Sequence, residues 1–474
     1  MENENKIVVG LDIGTTKIAC FIGQRSEAGK LDILGYGHTD SAGVERGVVK
    51  NIRLTASSIT KAVREASDMA NYEVSEVYVG IAGQHIKSMK NTGSIMIPSD
   101  HKYIKPEDVE RLTAEQRNIL LGPGEEIIHV FAQKYIVDGE ELTIDPVGVT
   151  GHQLTAVFHI VTGNTANLRN ISDSVELAGL KVRRVVLEPI ASAAAVLDDT
   201  DRNAGVALVD IGGGTTDIAL FHEGIIRHTS VLALAGNVIS SDIQTNCHIL
   251  KEQAEKLKVR FGSCLPETVN DDDIVSIPGI RRQAPREIGM RMLAQIIKAR
   301  TTDILEQVNY EIEQSGYAKQ LIAGIVLTGG GARLQHIKEL SEYVTRTDTR
   351  IGTPDEHLSK MPNDNVRHPM YATGIGLVLC GLDYEERANG TSDSEAELKN
   401  GEGENKESKA DEAAASRSEE YGGPSTADQP AAAEADDEVT INIARKKKSG
   451  RDWMNAINGY LNRVFRDDID DDDD

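Results

Sequence analysis

The stretch VALVDIGGGTTDIALF, residues 206–221, decides the fold, because residues 7–22, IVVGLDIGTTKIACFI, repeat it. Each is an apolar run, then Asp-Ile-Gly, then a pair of threonines, then a second apolar run. Two short β-branched runs joined by a Gly/Thr turn predict a β-hairpin. One such hairpin in each half of a chain predicts two related subdomains facing one another.

The chemistry of these turns points to phosphate. Gly14, Gly212, Gly213 and Gly214 are expected to adopt positive φ and let the backbone approach an anion. Exposed N–H groups of such a turn form an anion-binding nest, and Thr15, Thr16, Thr215 and Thr216 add hydroxyl donors. Lys17 supplies a point charge for outer phosphates. Asp12 and Asp210, at strand ends, suit Mg²⁺ held through its water shell. An ordinary structural turn accounts for one loop of this kind, but poorly for two with matched acids. Neither is a Walker A loop: GxxxxGK[ST] is absent, and a strand is expected after each turn. A third glycine-rich stretch, GIVLTGGG at residues 324–331, ends another apolar run, and ARLQHIKEL continues with helical spacing. Its triplet Gly329, Gly330, Gly331 suits the close approach of a flat adenosine ring.

Composition narrows the classes. The 474 residues exceed what one core organises. No run of about 18 apolar residues occurs, so no helical span is expected, and MENENKIVVG has no features of an export signal. The cysteines at 20, 247, 264 and 380 show neither metal nor redox spacing and read as reduced thiols. The net charge of −24 is concentrated late: residues 383–438 hold 18 acids and 5 bases, and residues 467–474 hold 7 acids. The body is only mildly acidic, which argues against a nucleic-acid partner. Residues 384–440 lose periodicity and large apolar groups and are read as a disordered acidic linker.

The set of motifs resembles the actin/DnaK-type chaperone/sugar kinase superfamily over most of residues 1–382. Residues 12–17 resemble its first phosphate motif, 210–217 its second and 325–331 its adenosine motif. Glu188-Pro189 with the Ala-rich stretch after it resembles the first connecting motif, and ATGIGL at 372–377 the second. That likeness implies an α/β fold of two lobes, each with a central mixed sheet, closing on Mg²⁺-ATP. Glu188 is then the candidate for orienting an attacking water or metal-bound water.

Within the superfamily the sequence resembles the FtsA family, whose members tether FtsZ polymers to the inner membrane. Residues 84–162, including PEDVERLTAEQ, IIHVFAQKYIVDGEE and DPVGVTGHQL, look like its inserted subdomain. AEKLK at 254–258 resembles the helix whose acid and lysine, here Glu255 and Lys258, reach the nucleoside. The resemblance implies subdomain 1A at 1–83, 163–204 and 361–383, subdomain 2A at 205–235 and 301–360, and subdomain 2B at 236–300. It also makes residues 281–312 a helical region receiving the FtsZ C-terminal peptide, with Arg286 and Arg300 as partners of its acids. Self-association into filaments, recruitment of other division proteins and a site on the cytoplasmic face of the membrane at the division plane come with it.

The terminal helix is readable from geometry. Trp453, Met454, Ile457, Tyr460, Leu461, Val464 and Phe465 fall on one arc at helical spacing, with the asparagines and arginines outside it. Such a helix is too short to cross a bilayer and suits its interface. Residues 441–466 are therefore read as a basic stretch and membrane-targeting helix, drawn to anionic lipid by Arg445, Lys446, Lys447, Lys448 and Arg451. The acidic end at 467–474 departs from the family pattern. A sugar or acid kinase of the same fold gives the tail no purpose. A DnaK-type chaperone needs a β-rich domain where the acidic tail stands, and an MreB-like filament protein lacks this tail.

Overall fold

The computed structural model describes residues 6–142, 145–279, 284–361, 364–399 and 442–445. The two repeated stretches form the two expected hairpins, in the same register. Val8–Ile13 pairs antiparallel with Lys17–Arg25, and Val206–Ile211 with Thr216–His222. Asp12 lies opposite Ala19 in the first, and Asp210 opposite Asp217 in the second. A strand follows each turn, as its composition predicts.

Around each hairpin the chain builds the same mixed sheet. In the first lobe the order is Lys181–Leu187, Glu76–Ile81, Val8–Ile13, Lys17–Arg25, Leu31–Asp40, Leu358–Lys360. In the second it is Thr349–Ile351, Ile325–Thr328, Val206–Ile211, Thr216–His222, Ile225–Leu232. Both run parallel on one side of the hairpin and antiparallel to the next strand beyond it, and in the first lobe Leu358–Lys360 then adds parallel at the edge. Leu11, Ile18, Leu208 and Ile218 are fully buried, as befits central strands covered on both faces.

Between the lobes lie two helices, Glu188–Val196 and Ala372–Lys399. They touch backbone to backbone: a Cβ added at Gly376 would stand 1.7 Å from the Ala191 carbonyl oxygen. The second helix corrects the reading of residues 384–399 as linker. Charge there looked like solvation, but Glu385 is buried and bonded by Lys6, by Tyr78 at 2.6 Å and by Arg183 at 3.0 Å. Tyr384 stacks on Tyr78, and the Arg184 guanidinium sits 3.9 Å from its ring centre. These contacts carry the helix past the core, and it runs on to Lys399 although Asn389, Gly390, Thr391 and Ser392 are poor helix formers.

The inserted subdomain is a four-stranded sheet, Lys87–Met96, Gln153–Asn164, Glu125–Val137, Glu140–Leu142, with helix Pro106–Gln116. It reaches the opposite lobe at the edge strand Ile225–Leu232. Gln133 donates to the Ile226 carbonyl at 2.7 Å, Arg227 donates to the Gln133 carbonyl at 2.8 Å, and His159 meets the Thr229 hydroxyl at 3.0 Å. A small sheet, Arg286–Gly289, Asp273–Ile277 and Asn442–Arg445, completes the second lobe with helices Gly236–Cys247 and Lys251–Phe261. Residues 453–465, the expected membrane helix, and 467–474 lie outside the described residues.

Candidate functional site

A cavity of about 470 Å³ opens between the lobes where the two hairpin turns face each other. Asp12, Gly14, Thr15, Thr16, Lys17, Glu188, Asp210, Gly212, Gly213, Gly214 and Thr215 all line it. So do Glu255, Lys258 and the triplet Gly329, Gly330, Gly331. The phosphate-loop glycines do not work as expected: Gly14, Gly212, Gly213 and Gly214 are absent from the residues of positive φ. Their contribution is space. A Cβ at Gly213 would fall 1.8 Å from the Thr16 hydroxyl, and one at Gly214 2.4 Å from that of Thr15. The second turn thus receives the threonines of the first, and only glycine permits it; Gly14 is instead crowded by its own turn, a Cβ there standing 2.8 Å from the Lys17 carbonyl oxygen.

Thr216 departs from the expectation. Its hydroxyl donates to the Leu234 carbonyl at 2.7 Å, and it does not line the cavity. Strand alternation is the reason: residues 215 and 217 project to one side and 216 to the other. Asp217, opposite Asp210, therefore enters the cleft instead. The period-two pattern of the quoted stretch held this signal, but attention to hydroxyl donors passed over it.

Four carboxylates now converge. Burial, reinforced by the neighbouring Asp12, raises the Asp210 pKa against two donors, Ser192 at 2.7 Å and Thr373 at 3.1 Å. Burial lifts Glu188 and Asp217 well above the carboxylate range, Asp12 adding to it for Glu188 and Asp210 for Asp217. Asp217 accepts from Thr215 at 3.0 Å through Oδ2, while its buried Oδ1 has no partner. Lys17 bonds Asp12 at 2.9 Å; burial pulls its pKa down, but the carboxylate outweighs this and holds it above the ordinary value. Lys258 and Arg333 line the cleft elsewhere, while at this end Lys17 meets four acids. Among the described residues no three such groups converge closely enough to ligate one metal directly. An Mg²⁺ ion suits this arrangement only through its own waters, the coordination it prefers.

On the opposite wall, Lys258 donates to Glu255 at 2.8 Å, to the Gly236 carbonyl at 2.9 Å and to Ser240 at 2.9 Å. Burial lowers the Lys258 pKa against the pull of Glu255. Gly329 takes φ of 82° at the end of Ile325–Thr328, where a Cβ would strike Asp210 Oδ1 at 2.2 Å. Gly330 faces open space. The expected helix after the triplet begins only at Ile337, because a short 3₁₀ turn, Gly330–Arg333, comes first.

Arg286 and Arg300 lie apart from this cleft and not in one helical region: Arg286 is on the strand Arg286–Gly289 and Arg300 on the helix Met290–Ser315. That helix also runs across the expected border at residue 300. Arg300 is already engaged by Asp242 at 2.6 Å and Asp303 at 2.9 Å, and Arg286 by the Cys247 carbonyl at 3.1 Å.

Residues 207–376 match the sequence model described as "Cell division protein FtsA", and residues 83–162 the "SHS2 domain inserted in FTSA". The FtsA of Pseudomonas aeruginosa is 37% identical over 380 residues, 80% of this chain and 90% of its own length. That of Escherichia coli is 35% identical over 399 residues, 83% and 94%. The chain belongs to the FtsA family. Residues 163–233 also match the Hsp70 protein model. A chain of the PilM-PilN type IV pilus biogenesis complex superposes with a TM-score of 0.57 at 14% identity, covering 79% of this chain and 98% of that one. The FtsA-family chain thus has the actin-like ATPase fold, a nucleotide-binding fold, with the FtsA insertion, and is an actin-like cell-division protein.

Proposed function

We propose that this chain is an ATP-dependent adaptor that anchors FtsZ polymers to the inner face of the cytoplasmic membrane. The observation carrying the reading is the facing pair of Asp-Ile-Gly turns, in which Thr15 and Thr16 of the first fill the space left by Gly214 and Gly213 of the second. In that cleft the Gly14 and Gly212–Gly214 backbones with Thr15, Thr16, Thr215 and Lys17 bind the phosphates. Asp12 and Asp210 orient waters of an Mg²⁺ ion, whose chemistry is to neutralise charge on the phosphate oxygens. The unpaired Asp217 Oδ1 offers one more acceptor to that shell. Glu255 and Lys258 face the nucleoside, and the Gly329–Gly331 turn its ring. Glu188, whose pKa burial and the neighbouring Asp12 push up, would orient the attacking or metal-bound water.

The terminal helix, Trp453 to Phe465, anchors the chain to anionic lipid. A single short helix binds weakly, so head-to-tail self-association multiplies its effect. Arg286 and Arg300 receive acids of the FtsZ C-terminal peptide; for Arg300 this requires exchange of Asp242 or Asp303. Later division proteins are recruited on the same platform. The test is vesicle pelleting with purified FtsZ, with MgATP, for the full chain and for one lacking residues 453–474. FtsZ should sediment only with the full chain. Equal sedimentation of both, or none with either, would refute the anchor.

A further inference from the structure

The small sheet of the second lobe has an unexpected third member. Asp273–Ile277 and Arg286–Gly289 form a hairpin, and Asn442–Arg445 adds antiparallel to its open side. The register sets Arg445 opposite Asp273, Ala444 opposite Ile274, Ile443 opposite Val275 and Asn442 opposite Ser276. These four residues come from a tail more than 40 positions beyond the last described helix, which ends at Lys399.

Three observations set this contact apart from chance apposition. The tail sequence VTINIAR alternates large aliphatic residues at 439, 441 and 443 with polar or small ones, the period of a strand, inside a region otherwise without one. A two-stranded ribbon is marginal in water, and the third strand brings the sheet to a number that holds. Charge is complementary as well. The sequence following the strand is Lys446-Lys447-Lys448, and the sequence preceding its antiparallel partner is Asp271-Asp272.

We propose that Asn442–Arg445 is a releasable latch. Docked, it holds the basic stretch and the terminal helix against the second lobe; undocked, it frees them for an anionic bilayer. The second half of this statement rests on the membrane reading above. Tethering sets the balance. The strand and its partner hairpin belong to one chain, so docking is intramolecular, at an effective concentration around the millimolar range. A strand of this length is too weak to dock as a separate peptide, but at that concentration it docks for much of the time. The same weakness makes it displaceable, because a bilayer that takes the helix removes the strand by linkage.

The test uses the full chain with Ile443→Pro and Ala444→Pro together and, independently, with Asn442→Pro and Ile443→Pro together; adjacent N–H groups face opposite edges, so each variant loses one donor to the partner strand while the basic residues and the helix stay unchanged. Hydrogen exchange at the amides of Asp273–Ile277 is read with and without vesicles rich in anionic lipid. Without vesicles, both variants should exchange there about 3- to 10-fold faster than wild type, as expected for an edge that is mostly covered. Adding vesicles should bring wild type to the variants' rate, and the variants should bind vesicles several-fold tighter. Equal exchange in all three chains without vesicles overturns the latch, whatever the membrane does. Slower exchange in wild type that persists while the chain sediments with vesicles overturns the coupling. A chain that fails to sediment at all refutes the anchor, and the vesicle-free arm still decides the latch.

Discussion

Gly376→Ala sets two rules against each other at one atom. Helix propensity favours alanine over glycine by about 1 kcal/mol in a helix interior. Packing opposes it, because the new Cβ would stand 1.7 Å from the Ala191 carbonyl oxygen and 2.3 Å from its carbon. Neither atom belongs to a side chain that can swing away. The helices Glu188–Val196 and Ala372–Lys399 must separate by about 1.5 Å, an overpacking strain worth about 3 kcal/mol. The net is a loss of about 2 kcal/mol, or about 2–3 °C in melting temperature for a body of this size. The damage reaches the cleft, since Ser192 beside Ala191 and Thr373 one turn before Gly376 both hold Asp210. Thermal unfolding followed by circular dichroism, with an MgATP titration of the folded protein, reads both effects. The control is Gly330→Ala, where a Cβ meets nothing within 4 Å and stability should stay within about 0.5 kcal/mol. A Gly376→Ala protein that melts at or above wild type refutes the argument.

The Glu385 cluster should be worth about 3 kcal/mol at neutral pH: burial alone would raise its pKa, but Lys6, Tyr78 and Arg183 bring it down to about 2. That stability is complete above the ordinary glutamate pKa and drains away as pH falls towards 2, and Glu385→Gln should abolish this part of the profile in urea titrations. Burial pushes His159 down to about 4, so wild type should lose stability from about pH 6.5 towards 4 as the unfolded chain takes up the proton. His159→Gln should flatten that limb, and an unchanged slope would exonerate the histidine. Asp210→Ala should abolish detectable MgATP binding by calorimetry, whereas Asp217→Asn, which removes a carboxyl whose pKa burial and Asp210 push up, should leave the apo protein at least as stable and weaken the Mg²⁺ dependence of binding.

The turns were legible because their chemistry is local: an acid at a strand end, glycines beside threonines, and a strand on either side. What escaped depended on partners distant in sequence. Ser192 and Thr373 became ligands of Asp210 only when two helices met, and no spacing encodes that. Glycine at 213 and 214 was rightly expected and wrongly explained, since the opposing threonines that demand it lie in the other lobe. Thr216 and Asp217 exchanged parts for a reason the strand period contained. The border at residue 384 failed because charge was equated with solvation, whereas Glu385 is buried among donors from three other segments.

The contact of the inserted subdomain with the edge strand Ile225–Leu232 bears on how such a body moves. Two helices between the lobes would by themselves define a line about which the lobes swing apart like a book. Gln133, Arg227 and His159 bind the covers together away from the spine. The lobes are left free to shear or twist until those bonds break, but not to swing wide. Exchange of nucleotide therefore carries a toll collected far from the phosphates, and a partner that grips the inserted subdomain holds a lever on the cleft without touching it.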